Sequence, residues 1–140
     1  MPKAEVQRTH YSNGQIRSEC TLMDGKLTGI TRHWHDNGSL KWEIPIEDGL
    51  SNGLVRQWNR QGRLLGEFHM NMGTGIEKSW HENGQLEREA STVHGKLCGR
   101  FRCWYEDGEL VVEEYYVRDR KVSRRKYDDL ARTDASLPRP

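Results

Sequence analysis

The sequence has few of the residues that build a deep hydrophobic core. Leu, Ile, Val and Phe together make up 26 of the 140 residues, about 19%, a share typical of disordered chains when the net charge is large. Here the formal net charge is only +1, because 22 basic residues offset 21 acidic ones. We therefore expect one ordered but thin domain, and the composition argues against a thick two-layer core.

Long apolar runs and paired cysteines are also missing. No stretch approaches the roughly 18 apolar residues of a membrane-spanning helix, and residues 1–9 lack the apolar run of a signal peptide. The three cysteines, Cys20, Cys98 and Cys103, contain no Cys-x-x-Cys pair, which argues against a disulfide scaffold or a four-cysteine zinc site. We expect a soluble, cytoplasmic protein with reduced thiols.

What the sequence does contain is a repeat. A basic residue lies six positions before the repeat glycine, an aliphatic residue two positions after it, and a glutamate five positions after it. Tryptophan lies four positions before the glycine in every repeat but the first, which has His10. Such self-similarity indicates five copies of one structural unit. The repeat glycines are spaced by 24, 24, 22 and 24 residues, at Gly14, Gly38, Gly62, Gly84 and Gly108.

Each unit has the pattern of a β-hairpin, with Asn-Gly or Asp-Gly (Gln-Gly in the third unit) between two short β-rich runs. The return run, such as residues 40–46, alternates with a period of two. We predict an all-β fold, an elongated single twisted antiparallel sheet of tandem hairpins with about 10–11 strands. The predicted array spans residues 1–127, with repeats at about 8–30, 31–54, 55–76, 77–100 and 101–123, a capping strand to 127, and a C-terminal tail at 128–140.

Two registers compete for the hairpins. A two-residue turn places Arg32 directly opposite Glu43, whereas a three-residue loop places Trp34 opposite Leu40. Because a one-residue slip moves the whole apolar set to the other face, amphipathicity should choose between them. It favours the three-residue loop, which separates Arg32 from Glu43 and gathers one apolar face from Ile30, Trp34, Leu40, Trp42, Ile44 and Ile46.

At these positions the chain resembles the MORN repeat family (membrane occupation and recognition nexus). The resemblance is to the variant repeat Trp-x-x-Asn-Gly-x-Leu-x-x-Glu with a later Gly-x-x-x-Gly, and it covers about residues 8–117. His10 in the first repeat, and Asp119 and Ser123 in the fifth, depart from the pattern, as expected of terminal repeats. The resemblance implies scaffolding, partner binding or membrane association. Some bacterial members are antitoxin-like, and such repeats also occur in large DNA viruses, which keeps virion association open.

The candidate binding residues are the repeated tryptophans. Aromatic side chains pack well on pleated surfaces, so they can form the core of the sheet. They can also line a groove for a peptide or an apolar segment of a partner, and half-buried rings would serve both roles. The four residues are Trp34, Trp58, Trp80 and Trp104.

The repeated glutamates and the six histidines raise the question of chemistry. Neighbouring glutamates fall on alternate strands, roughly 9–10 Å apart, with basic residues beside them, which favours a structural charge ladder over acid–base catalysis. A metal site needs three or four convergent ligands, and the histidines do not repeat in that way, so we expect them on the polar surface. We predict no catalytic residue, no metal and no cofactor, hence no enzyme.

The C-terminal part differs in charge. Residues 118–126 carry six basic residues and one acidic residue. Such a cluster is either a solvated edge that blocks sheet aggregation or a contact for anionic lipid or an acidic protein. The tail beyond it suggests a short helix near 128–131 and an extended or disordered end at 136–140. The candidate contacts are Arg118, Arg120, Lys121, Arg124, Arg125 and Lys126.

Together these observations predict a non-enzymatic repeat scaffold that mediates protein–protein interaction through a groove or a sheet edge. One alternative is a peripheral membrane adaptor that uses the basic segment, and another is an antitoxin-like binding protein. We expect a protein partner and a homodimer, because an unpaired edge strand is a template for a second chain. An anionic membrane surface stays open as a partner, and nucleic acid is not expected.

Overall fold

The computed structural model describes residues 3–139, so what was expected of residues 1, 2 and 140 lies outside it. The chain divides between Met72 and Gly73 into two compact units, here unit 1 and unit 2. The all-β prediction is confirmed, with consecutive antiparallel hairpins and one short helix among the described residues.

Unit 1 is a seven-stranded sheet. The strands are paired in the order β1-β2-β3-β4-β6-β7, and the two-residue β5 pairs with β4 beside this path. Their bounds are β1 (Ala4–His10), β2 (Ile16–Met23), β3 (Lys26–Trp34), β4 (Leu40–Glu47), β5 (Leu50–Ser51), β6 (Gly53–Trp58) and β7 (Leu64–Met70).

Unit 2 is a five-stranded sheet followed by a helix. The strands are paired in the order β12-β11-β10-β9-β8, and Ser123 caps the helix by accepting a hydrogen bond from the backbone N–H of Lys126. The bounds are β8 (Gly75–Trp80), β9 (Leu86–Val93), β10 (Lys96–Trp104), β11 (Leu110–Val117), β12 (Arg120–Val122) and α1 (Arg124–Ala131).

The expectation of one continuous sheet is wrong, because the twelve described strands form two sheets. The division coincides with the repeat that is two residues short. In the first and fourth linkers the strand pairing is interrupted by a bulge, around Gly29 and Gly99, and resumes beyond it. The linker at Gly73 has one residue between its two glycines where these linkers have three, so it lacks residues of the short paired segment beyond the bulge, and β8 pairs with β9.

The register prediction is right at the hairpin tip and wrong in the stem. Trp34 pairs with Leu40, as the three-residue loop requires, but Arg32 pairs with Glu43. A β-bulge between His33 and Trp34 reconciles the two, because one extra residue on the return strand shifts the register by one. The same bulge follows Thr9, Gln57, Ser79 and Cys103 in the other hairpins.

The bulge also changes which residues share a face. On β3, Ile30 and Trp34 each lie two positions from Arg32 and therefore on the same side as Arg32. Glu43, the cross-strand partner of Arg32, lies on that side as well. Trp42 and Ile44 lie on the opposite side. The predicted apolar face is therefore split between the two sides of the sheet.

The two units differ in what they bury. In unit 1 the buried hydrophobic residues are Val55 and Met70. Unit 2 buries Ala90 and also a cluster in which Cys98 and Tyr115 of the sheet pack with Tyr127 and Leu137 of the C-terminal segment. Within residues 3–139, unit 2 is therefore the unit that gains a second layer over part of its sheet.

Candidate functional site

The side of each sheet that carries the repeated Arg and Glu residues is the candidate site, here the ladder face. In unit 1 each hairpin closes its own ion pair between directly opposite strands. The N–O distances are 2.8 Å for Arg8–Glu19, 3.3 Å for Arg32–Glu43 and 3.1 Å for Arg56–Glu67. Each glutamate is therefore neutralised by the arginine of its own repeat, which agrees with a structural ladder.

Unit 2 uses the same residues differently. The guanidinium of Arg102 donates to Glu89 of the preceding hairpin, with an N–O distance of 2.8 Å. The direct cross-strand partner of Arg102 is Glu113, which is exposed. The ladder in unit 2 thus links two hairpins, whereas each of the three ladder pairs of unit 1 lies within one hairpin.

The four predicted tryptophans lie at the tip end of the ladder face and are all half-buried. Each pairs with the aliphatic residue of its own hairpin, for example Trp58 with Leu64. The guanidinium carbon of Arg102 lies 5.0 Å from the ring centroid of Trp104, which is cation–π geometry. Each tryptophan ring thus contacts residues of its own repeat with part of its surface and exposes the rest to solvent.

Sequence reasoning missed a set of hydrogen bonds that joins one tip to the next. The side chain after the tryptophan position donates to the backbone carbonyl of the next repeat's tryptophan. The distances are 2.6 Å from Tyr11 Oη to Trp34 O, 3.0 Å from His35 Nε2 to Trp58 O, and 2.8 Å from His81 Nε2 to Trp104 O. The sequence did contain a signal for these bonds, because one repeat position carries a side chain that can donate a hydrogen bond. The donating residues at this position are Tyr11, His35 and His81.

A second donor of the tips is the asparagine before the repeat glycine. The amide nitrogens of Asn13, Asn37 and Asn83 each donate to a carbonyl of the following tip at 2.8–3.0 Å. The amide oxygen of each accepts a backbone N–H within its turn. This position therefore closes its own turn and fastens the next one.

The histidines correct another expectation. His35 is buried rather than on the polar surface, because its ring is the donor that fastens the next tip. His33 follows Arg32 on β3 and so lies on the side of the sheet opposite the ladder face. There burial, and then the charges of Lys41 and Arg17, lower the pKa of His33. Within residues 3–139, no group of three His, Cys, Asp or Glu side chains is arranged to hold a metal ion.

Unit 1 also exposes an aliphatic row on its ladder face. The three residues occupy one repeat position, two residues before the ladder arginine, and pair with Thr21, Pro45 and His69 on the return strands. A row of exposed aliphatic side chains is informative when it is contiguous. The row consists of Val6, Ile30 and Leu54, which are 48%, 41% and 36% exposed.

In unit 2 the C-terminal segment, residues 123–139, covers part of the ladder face. The ring of Tyr127 lies 5.6 Å from that of Tyr115, centroid to centroid, and its hydroxyl donates to the carbonyl of Pro138. Burial raises the pKa of Tyr127 to about 12. The helix begins earlier than expected, at Arg124, and Leu137 is buried, so the end of the segment is ordered against its own sheet.

The basic residues of the C-terminal part do not form one patch. Lys121 pairs with Glu114 at 2.6 Å, on the side opposite the ladder face, since Glu114 follows Glu113 on β11. Arg124 lies over the ring of Tyr115 on the ladder face and 4.0 Å from Asp128. Arg118 occupies the left-handed turn before β12. Arg120, Arg125 and Lys126 are exposed.

Beside the end of the segment lies a shallow cavity of about 220 Å³. Its lining includes Ile76, Glu89, Arg100 and Pro138. The carboxylate of Glu89 is already held by Arg102, so it is not placed there as a free acid or base. The cavity does not by itself define a reaction.

The comparisons with known proteins agree with the repeat geometry. The family model of the MORN repeat variant matches residues 74–94 and 97–118, both within unit 2, which supports the MORN repeat family for this part of the chain. No curated protein and no solved structure matches the chain at a significant level. Among the described residues, no helix has the length and apolar character needed to cross a membrane.

Proposed function

We propose that this chain, a carrier of MORN repeats, is a non-enzymatic scaffold that binds a protein partner through the ladder face of unit 1. The observation that supports the proposal is the exposed row of Val6, Ile30 and Leu54 on that face. MORN repeats are in general binding modules for proteins or membranes, and the row gives such a module an apolar contact.

The charges beside the row favour a protein over an anionic lipid surface. The arginines Arg8, Arg32 and Arg56 are each paired with a glutamate of the same hairpin, so this part of the face has no excess of positive charge. Anionic lipid attracts clusters of unpaired basic residues. Of the basic residues that the membrane alternative would use, Lys121 and Arg124 lie on opposite sides of the sheet of unit 2.

The experiment compares two exposed aliphatic residues of the same repeat position. A tagged chain carrying Ile30→Lys should lose a partner that the wild type retains from an extract of the native cell. Ile76→Lys is the matched control, because Ile76 is also exposed but belongs to unit 2, and it should retain the partner. Equal retention by the wild type and both variants would contradict the proposal.

We also propose a homodimer that forms along the outer edge of β1. Every residue of this strand is exposed, and an edge strand offers unpaired N–H and C=O groups to a second copy. Light scattering should then give twice the 16.4 kDa chain mass, and Val6→Pro, which removes a backbone donor, should shift the protein toward monomer.

A flotation assay separates the membrane alternative from the protein-binding proposal. Vesicles rich in phosphatidylserine should leave the wild type in the soluble fraction. Co-flotation that is lost on Arg124→Glu and Arg125→Glu, in the exposed part of α1, would favour the membrane alternative instead.

A further inference from the structure

We propose that the ladder face of unit 1 takes an amphipathic α-helix of its protein partner, lying across the strands with apolar residues seven positions apart. The proposal rests on the proposed function and adds the conformation and the sequence spacing of the partner segment. It is carried by three observations: the spacing of the exposed row, the neutral charge beside it, and a helix already packed on the equivalent face of unit 2.

The spacing of the row matches a helix. Val6, Ile30 and Leu54 lie on β1, β3 and β6, and each is followed in the sheet by one return strand before the next. The arginines two residues after them lie on one continuous cross-strand row that passes through Glu19 and Glu43. Two strand spacings therefore place neighbouring members of the aliphatic row about 9.6 Å apart. Seven residues of an α-helix advance about 10.5 Å and return to nearly the same side. A helix of about 16 residues would therefore place three apolar side chains along the row.

A β-strand fits this row less well. A strand places residues of one face about 6.6–6.8 Å apart, which falls out of step with a period of about 9.6 Å after one contact. The cross-strand partners of the row members, Thr21, Pro45 and His69, carry no carboxylate and no permanent positive charge. Side chains beside the helix stripe can thus approach the sheet without meeting an unpaired charge.

The charged residues beside the row favour apolar contact residues on the partner helix. The arginine two residues after each row member is held in an ion pair, Arg8 with Glu19, Arg32 with Glu43 and Arg56 with Glu67. A partner that displaced these pairs would have to desolvate both charges. We expect leucine, isoleucine or methionine at the three contact positions, with mixed charges on the remaining sides of the helix.

Unit 2 shows that this face accepts a helix. Tyr115 occupies in the fifth repeat the position that Pro45 occupies in the second, seven residues after the repeat glycine. The helix α1 packs there through Tyr127, which has no exposed surface, with Ala131 one turn further along beside the same cluster. The sheet geometry of the repeat is therefore compatible with a helix on the ladder face, and in unit 1 this face has exposed aliphatic residues instead.

The test uses two synthetic helical peptides of equal composition and the full chain. The first has leucine at every seventh position in an alanine, glutamate and lysine background, and the second has the same leucines at every fifth position, which spreads them around the helix. Titrations followed by amide NMR should give a Kd below about 1 mM for the first peptide and at least ten-fold weaker binding for the second. The shifted resonances should be those of the row and its neighbours.

Variants locate the contact. Ile30→Lys should weaken the first peptide at least ten-fold, whereas Ile76→Lys should leave its Kd within two-fold. Both residues are exposed, so both variants should keep the fold, and an amide spectrum of unit 1 that is unchanged away from β3 verifies this for Ile30→Lys.

Three outcomes would overturn the proposal: no binding of the heptad-spaced peptide, equal binding of the two peptides, or sensitivity to Ile76→Lys instead of Ile30→Lys. Preferential binding of the same sequence with a helix-breaking proline at its centre would also overturn it, in favour of an extended ligand. If the heptad-spaced peptide fails while Ile30→Lys still abolishes capture of the cellular partner, the proposed function stands and the helical partner does not.

Discussion

Unit 1 and unit 2 are built from the same repeat, yet they differ in whether a second layer covers one side of the sheet. Unit 2 adds the C-terminal segment, so that Tyr115 and Cys98 are buried beneath Tyr127 and Leu137. Unit 1 has no such layer among its described residues and keeps Val6, Ile30 and Leu54 exposed on the same side. One repeat can therefore serve either as the floor of a small core or as an open surface, and the covering segment decides which.

The largest expected effect is the loss of the second layer of unit 2. Tyr127→Ala removes a side chain with no exposed surface and should lower the free energy of unfolding by about 3–5 kcal/mol, as for other buried aromatics. Tyr105→Ala is the control, since Tyr105 is 57% exposed, and it should change stability by less than about 0.5 kcal/mol. Urea melts followed by tryptophan fluorescence measure both, and similar losses would refute the two-layer description of unit 2.

The next effect concerns the hydrogen bonds that fasten neighbouring tips in both units. His35→Ala removes the donor to Trp58 O and should cost about 1–3 kcal/mol, because a carbonyl loses its partner. His69→Ala, at an exposed histidine of the same unit, should cost less than about 0.5 kcal/mol. Urea melts can rank the two variants, and a neutral His35→Ala would show that the tip bond contributes little.

A smaller effect should distinguish the two charge ladders. Double-mutant cycles should give a coupling of at most about 1 kcal/mol between Arg32 and Glu43, since both side chains are partly exposed. In unit 2, Arg102 should couple to Glu89 more strongly than to Glu113, its direct cross-strand neighbour. The reverse order would mean that both units share the hairpin-internal ladder.

The smallest effect is a pH dependence of unit 1. Burial, with Lys41 and Arg17, lowers the pKa of His33 in the folded chain. The unfolded chain then binds more protons than the folded one below the ordinary pKa of 6.5, so the contribution of His33 is present above that pH and is lost as the pH falls below it. Stability measured between pH 7.5 and about pH 5 should decline less in His33→Gln than in wild type, and parallel curves would exclude this contribution.

Much of the fold could be predicted from local pattern. Four of the five hairpin tips follow from Asn-Gly or Asp-Gly turns, and the tip pairing of Trp34 with Leu40 follows from the three-residue loop. The stem register could not be chosen by amphipathicity, because both sides of the sheet carry apolar and polar residues. The pairing of Arg32 with Glu43 followed from the alternative two-residue turn. A bulge lets this pairing in the stem coexist with the pairing of Trp34 and Leu40 at the tip.

The candidate site was only partly visible in the sequence. The repeated tryptophans are half-buried at the tips, as a dual role requires, but the exposed row of Val6, Ile30 and Leu54 was not recognised as a set. These residues share a repeat position, and their exposure depends on packing that no single hairpin pattern shows. The tip donors were likewise missed, because a bond over 23 residues, such as that from His35 to Trp58, has no signature within a single hairpin.

The sequence by itself determined the repeat, its hairpins and the columns of side chains, because turn chemistry and alternation act over a few neighbouring residues. Tertiary structure decided where strand pairing stops, which repeat positions lie on the same side of the sheet, and which of them are covered. Those outcomes depend on a bulge, a shortened linker and a C-terminal segment that packs onto Tyr115 from further along the chain. Such contacts join residues whose proximity exists only after the sheets have formed.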